Sequence, residues 1–77
     1  MKKNIAILGS TGSIGKTLIN IIKKNKKNFK IVLLSSNKNY KDLLKQAYFF
    51  NVKNLIIVDR NSFNIVKSKK LKKKINI

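Results

Sequence analysis

The stretch Gly9-Ser10-Thr11-Gly12-Ser13-Ile14-Gly15 sits between two runs of opposite periodicity, and it constrains the fold more than any other part of the chain. Before it, Asn4 to Leu8 (NIAIL) is a short apolar run that stops at a glycine, as a buried parallel strand does. After it, Ile14, Leu18, Ile21 and Ile22 recur at i, i+4, i+7 and i+8 and mark one face of a helix starting at Ser13. That helix fades in the polar stretch Lys23 to Asn28. The junction therefore reads strand, glycine-rich turn, helix. Gly9 lets the chain leave the strand sharply, Gly12 removes a Cβ where backbone must approach a ligand, and Gly15 lets the helix pack closely on the sheet.

The same alternation continues. Phe29 to Ser35 (FKIVLLS) reads as a second strand, and Leu43, Leu44, Ala47 and Tyr48 as a second helical stripe. Asn39 is the expected N-cap of that helix, with Asp42 three residues on at the positive end of the helix dipole. Leu55 to Val58 is the third strand, and Phe63, Val66 and Leu71 mark a weak third helix from Ser62 onward. The order βαβαβα predicts an α/β fold. It is the first half of a Rossmann-like doubly wound parallel sheet with right-handed crossovers and strand order 3-2-1. Ligands in such sheets lie at the carboxyl ends of the strands, here the loops Gly9 to Ser13, Ser35 to Asn39 and Asp59 to Ser62.

In the first loop, free N–H groups at the helix start, with the hydroxyls of Ser10, Thr11 and Ser13, are expected to hold a pyrophosphate. A P-loop is disfavoured by spacing. Gly15-Lys16-Thr17 imitates its end, but the motif needs a glycine where Ser10 stands. The second loop distinguishes NAD from NADP. An acid about 20 residues past the glycines takes the ribose 2′-hydroxyl of NAD, whereas a 2′-phosphate wants neutral or basic groups. This chain reads Ser35-Ser36-Asn37-Lys38-Asn39, with no acid before Asp42. NADPH is the expected cofactor.

Charge needs separate treatment. The chain has 77 residues, with 19 Lys plus Arg against 2 Asp plus Glu and a formal net charge of +17. Yet 47 of the 77 residues are Lys, Asn, Ile, Phe or Tyr, all with A/T-rich codons, and Arg60 is the only arginine. A selected polyanion site would favour Arg, whose planar fork suits phosphate. The basic balance is therefore assigned to coding bias, and nucleic acid is not expected as a partner. The absence of His and Cys excludes thiol chemistry, a His base and Cys/His zinc ligation within these residues. Two acids nearly exclude paired-carboxylate catalysis as well. Apolar runs fall far short of the roughly 18 residues of a membrane span, and no signal peptide is visible, so the cytoplasm is the expected compartment. A plastid-type compartment is expected only if a targeting segment has been removed. At 77 residues the chain supports one thin core, burying about 60% of its unfolded surface, and is expected to be part of something longer.

The string Ile7-Leu8-Gly9-Ser10-Thr11-Gly12-Ser13-Ile14-Gly15, followed by a helix, a strand carrying Val32 and Leu34, and the pair Lys38-Asn39, resembles the N-terminus of the 1-deoxy-D-xylulose 5-phosphate reductoisomerases. The likeness runs from about residue 3 to residue 63. It implies an enzyme that uses NADPH and a divalent metal, Mg or Mn, to rearrange and reduce 1-deoxy-D-xylulose 5-phosphate to 2-C-methyl-D-erythritol 4-phosphate, in the non-mevalonate route to isoprenoids. It also implies that Thr11, Gly12, Ser13 and Ile14 contact NADPH, as do Asn37, Lys38 and Asn39. The family usually has Gly where Asn37 stands, and Asn is the residue other than Gly that best tolerates positive φ. On this reading residues 1–77 are a partial NADPH-binding domain. The catalytic and metal-binding residues and the C-terminal domain lie beyond residue 77, these residues alone are inactive, and the full-length enzyme is a homodimer acting on a sugar phosphate. Two alternatives remain open at this point: another NADP-dependent reductase of the semialdehyde dehydrogenase kind, and a basic nucleic-acid-binding module.

Overall fold

A computed structural model describes residues 2–69, 71 and 75–77. The elements run β1 (Lys3–Ile7), α1 (Ser13–Lys24), β2 (Phe29–Ser36), α2 (Tyr40–Phe50), β3 (Leu55–Ile57) and α3 (Arg60–Ser68). Three parallel strands form one sheet in the order β1-β2-β3, the 3-2-1 order expected from the alternation. Boundaries differ from the sequence reading by one residue at strand ends, where the ladder and not apolarity decides. Ile7 pairs with Leu34, and the register slips by one between Ile5 and Ala6.

The core is built on the middle strand. Ile31 and Leu34 of β2 are buried with Leu43, Leu44 and Ala47 of α2, Leu55 and Ile57 of β3 and Val66 of α3. Both capping devices are local and legible in retrospect. Asn39 Oδ1 accepts from Asp42 N at 3.2 Å at the start of α2, and Asp59 Oδ2 accepts from Ser62 N at 3.0 Å at the start of α3. The first was expected. The second follows the same rule, an acid one residue before a helix with its partner three on, and moves the start of α3 from Ser62 to Arg60.

The face of α1 departs from expectation. Of the predicted stripe only Ile22 is buried; Ile14, Leu18 and Ile21 are 81%, 44% and 51% exposed. The buried positions are instead Gly15, Ile19 and Ile22. The cause is Gly15. A Cβ there would overlap the Gly9 carbonyl oxygen and lie 2.7 Å from Ser10 Cα, so the helix is rotated to bring its one residue without a side chain against the turn. That swings Ile14 and Leu18 outward, where with Leu8 they border an open groove of about 470 Å³.

The C-terminal residues also differ from a fraying helix. α3 ends at Ser68, before Leu71, and residues 70 and 72–74 lie outside the described residues. Ile75 and Ile77 pack against the core, and Asn76 bridges to Asn54, with Leu55 N donating to Asn76 O at 2.8 Å and Asn76 N to Lys53 O at 2.7 Å. The outer side of β3 is thus partly paired, an outcome that lysine-rich composition hides. Among the described residues no helix is long and apolar enough to cross a membrane.

Candidate dinucleotide-binding site

The three loops at the carboxyl ends of the strands meet. Gly9 adopts φ +69°, which lets the chain turn out of β1 at little cost only because it lacks a Cβ. Its N–H donates to Ser35 Oγ at 2.9 Å, and Ser10 N donates to Ser35 O at 2.9 Å. On the other side Val58 N donates to Ser36 O and Asp59 N to Asn37 O, both at 3.0 Å. Ser62 Oγ reaches Lys38 O at 3.2 Å. The middle loop is therefore held from both flanks. These bonds are between chain segments far apart in sequence, which is why residue spacing did not disclose them.

The start of α1 is the helix start of the site without a side-chain cap. Gly12 is its N-cap, with no side-chain cap bond, and the first turn-closing bond is Lys16 N to Gly12 O at 2.8 Å. The N–H groups of Ser13, Ile14 and Gly15 precede that bond, so they have no intrahelical acceptor and aggregate the positive end of the helix dipole. α2 and α3 have side-chain caps from Asn39 and Asp59. Gly12 has φ −77° and ψ 174°, open to any residue, and a Cβ there would meet only Gly9 O at an ordinary 3.5 Å. Neither conformation nor internal packing calls for a glycine. A glycine here leaves room for a ligand to pass close to the backbone, the fit expected for a pyrophosphate.

Thr11, Gly12, Ser13 and Ile14 are all brought to this turn, with Thr11 half-buried and the other three exposed. Ser10 is not among the outward-facing groups. It is fully buried, and its Oγ donates to Gln46 Oε1 at 2.7 Å. The expectation that its hydroxyl holds an anion is corrected, because that hydroxyl has an inward partner. Asn37, Lys38 and Asn39 stand exposed just past β2. Among the described residues Asn51, not Asn37, is the non-glycine residue with positive φ, so Asn37 is accommodated without left-handed backbone. Ser36 is buried, 2% exposed, and its Oγ lacks a hydrogen-bond partner; it belongs to the strand end and not to the open loop.

Both acids border this loop, Asp42 as the first acid after it in the chain and Asp59 through its N–H on Asn37 O, and the charge of each is committed. Lys16 Nζ lies 3.1 Å from Asp42 Oδ2, and Asn39 Nδ2 donates to the same oxygen at 2.9 Å. The Lys16 bond first, then that of Asn39, holds the Asp42 carboxyl below the usual range. The backbone and hydroxyl of Ser62 do the same for Asp59. Depressed values mean that the unfolded chain binds protons more readily, so both acids contribute stability above about pH 4 that is lost as pH falls through their lower folded values. The denaturation midpoint in urea is expected to drop between about pH 5 and pH 3, and the Asp42→Asn, Asp59→Asn double variant to flatten that limb. A parent midpoint that does not change over this range contradicts the assignment. These two acids are also the chain's whole supply of Asp and Glu, and the described residues hold no cluster of three or more His, Cys, Asp or Glu.

Comparison with known proteins bears on this geometry. Residues 5–77 match the family model described as 1-deoxy-D-xylulose 5-phosphate reductoisomerase. The chain belongs to that family. A Pelagibacter ubique protein named 1-deoxy-D-xylulose 5-phosphate reductoisomerase is 65% identical over 63 residues, 82% of this chain and 16% of the relative. One of the same name from Buchnera aphidicola is 42% identical over 74 residues, 96% of this chain and 19% of the relative. Among solved structures, the Zymomonas mobilis reductoisomerase in complex with NADPH superposes with a TM-score of 0.89 at 29% identity, covering 99% of this chain and 20% of that one. A reductoisomerase in complex with magnesium gives 0.76 at 27% identity, covering 87% and 17%. The chain thus spans about a sixth to a fifth of the length of the family members it matches. Neither the semialdehyde dehydrogenase reading nor the nucleic-acid reading is favoured by these likenesses.

Proposed function

We propose that residues 1–77 are the NADPH-binding part of a 1-deoxy-D-xylulose 5-phosphate reductoisomerase. The observation that carries this is Gly12, a glycine that the fold does not require, placed where the uncapped start of α1 meets an approaching anion. Thr11, Gly12, Ser13 and Ile14 take the pyrophosphate, chiefly through backbone N–H groups. Asn37, Lys38 and Asn39 take the 2′-phosphate. When bound, the dinucleotide supplies the hydride that reduces the rearranged sugar phosphate to 2-C-methyl-D-erythritol 4-phosphate. The divalent metal and the sugar phosphate need ligands that these residues do not furnish, so their sites belong to other parts of such an enzyme, which acts as a homodimer. The resemblance to an enzyme solved with NADPH supports the cofactor, and the engagement of both bordering acids, Asp42 by Lys16 and Asn39 and Asp59 by Ser62, supports NADPH over NADH.

In the protein carrying this segment, NADPH is expected to bind about 10- to 100-fold more tightly than NADH at fixed salt, the worth of one charge-assisted hydrogen bond. Asn37→Asp narrows that ratio, because an exposed carboxylate there repels a 2′-phosphate and accepts from a 2′-hydroxyl. Ser36 is the wrong place for this test, since its burial would charge the interior. Exchanging the matching segment of the Pelagibacter ubique relative for residues 1–77 should preserve that enzyme's reductoisomerase activity. Equal affinity for the two cofactors, untouched by Asn37→Asp, defeats the cofactor assignment; an inactive but folded exchange defeats the assignment of the reaction.

A further inference from the structure

We infer that Gln46, which lies on α2 outside both loops, is a positioning residue for the dinucleotide, holding the pyrophosphate loop in register with the 2′-phosphate loop. This rests on the reading that the two loops share one ligand. Gln46 Nε2 donates to Ser10 O at 3.0 Å and Gln46 Oε1 accepts from Ser10 Oγ at 2.7 Å. One amide headgroup therefore engages both the backbone and the side chain of the residue immediately before Thr11. The carbonyl can only accept, which fixes the orientation of the amide. Ser10 is fully buried, and its N–H is separately tied to Ser35 O at 2.9 Å. A loop residue held at its N–H, carbonyl and hydroxyl has little freedom left.

The other end of the same rigid element carries the second loop. α2 is capped by Asn39, about 10 Å along the axis from Gln46 at 1.5 Å per residue. The helix thus joins the residue that grips the first loop to the cap that closes the second, Asn39, whose side chain is held on Asp42. A side chain with one donor and one acceptor at its tip is what the pair with Ser10 needs. Glu keeps the shape without the donor, and Met keeps the bulk with neither.

A positioning role predicts a loss confined to ligands that span both loops. In the protein carrying this segment, Gln46→Met and Gln46→Glu are each expected to weaken NADPH binding, read by nucleotide fluorescence, by roughly 10-fold. Binding of adenosine 2′-phosphate, which reaches the second loop alone, should stay at the parent value. Ser10→Ala, which removes the hydroxyl bond and leaves Gln46 Nε2 on Ser10 O, should weaken NADPH by less than Gln46→Met and add little when combined with it. All are measured well below each variant's melting temperature, and the isosteric Gln46→Glu serves if Gln46→Met does not fold. Parent-like NADPH affinity in folded variants overturns the inference, even if they melt earlier. So does equal weakening of both ligands, which marks a general loss of structure. A parent that binds neither ligand overturns the functional reading itself.

Discussion

Gly15→Ala should unfold much of the glycine loop and destabilise the protein by about 3 kcal/mol or more, although helix propensity argues for the opposite sign. Alanine is favoured over glycine by about 1 kcal/mol in a helix interior. Against that gain stands a steric conflict with backbone, not with a side chain that can turn away. The added Cβ overlaps the Gly9 carbonyl oxygen and comes within 2.7 Å of Ser10 Cα and 2.8 Å of Ser10 C. Ser10 cannot retreat, because its three polar groups are engaged by Ser35 and Gln46. Relief requires α1 to lift off the turn, which pulls Ile19 and Ile22 from the core, and overpacking without such relief already costs about 1–3 kcal/mol. A small domain has only a few kcal/mol in reserve. Urea denaturation followed by far-UV circular dichroism reads the effect; a midpoint at or above that of the parent shows that the approach of α1 to the turn is not as close as described.

The sequence disclosed the order of elements because each depends on short-range pattern: apolar runs ending at turns, the stripe Leu43, Leu44, Ala47 and Tyr48 in α2, and Asn39 followed by Asp42. It also disclosed the site in outline, since a glycine triplet between strand and helix has few uses. It misjudged α1 because that helix carries apolar residues on two adjoining flanks, Ile14, Leu18 and Ile21 on one and Ile19 on the other, with Ile22 between. Hydrophobicity alone does not choose between them. The choice is made by Gly15, whose missing side chain sets the rotation, and a glycine has no weight in a hydrophobic stripe. Ser10 was misread for a related reason. Its hydroxyl is chemically apt for an anion, but its direction is set by Gln46, 36 residues away. Nor did lysine-rich composition show that Ile75 and Ile77 return to the core, since two isoleucines either side of Asn76 are too short a pattern to announce it.

Those readings converge on the contrast between two glycines three residues apart. Gly15 is required by the fold and Gly12 is not, so the same substitution should separate stability from binding. Gly12→Val is expected to leave the protein folded, with a melting temperature close to that of the parent. Its backbone, at φ −77° and ψ 174°, is extended and suits a β-branched residue. The first added carbon meets Gly9 O at 3.5 Å, an ordinary contact, and the change at the N-cap costs about 1 kcal/mol at most. NADPH binding should nonetheless fall by about 100-fold or more, because the new methyl groups stand over the N–H groups of Ser13, Ile14 and Gly15. A pyrophosphate held off them forfeits two or more charge-assisted bonds of about 1.5–3 kcal/mol each. Gly12→Ala, with one carbon in place of three, should lose less. Dissociation constants from nucleotide fluorescence, taken beside a melting curve for each variant, decide the matter. If folded Gly12→Val binds NADPH as the parent does, the pyrophosphate does not lie on this turn, and the start of α1 is not the anion site.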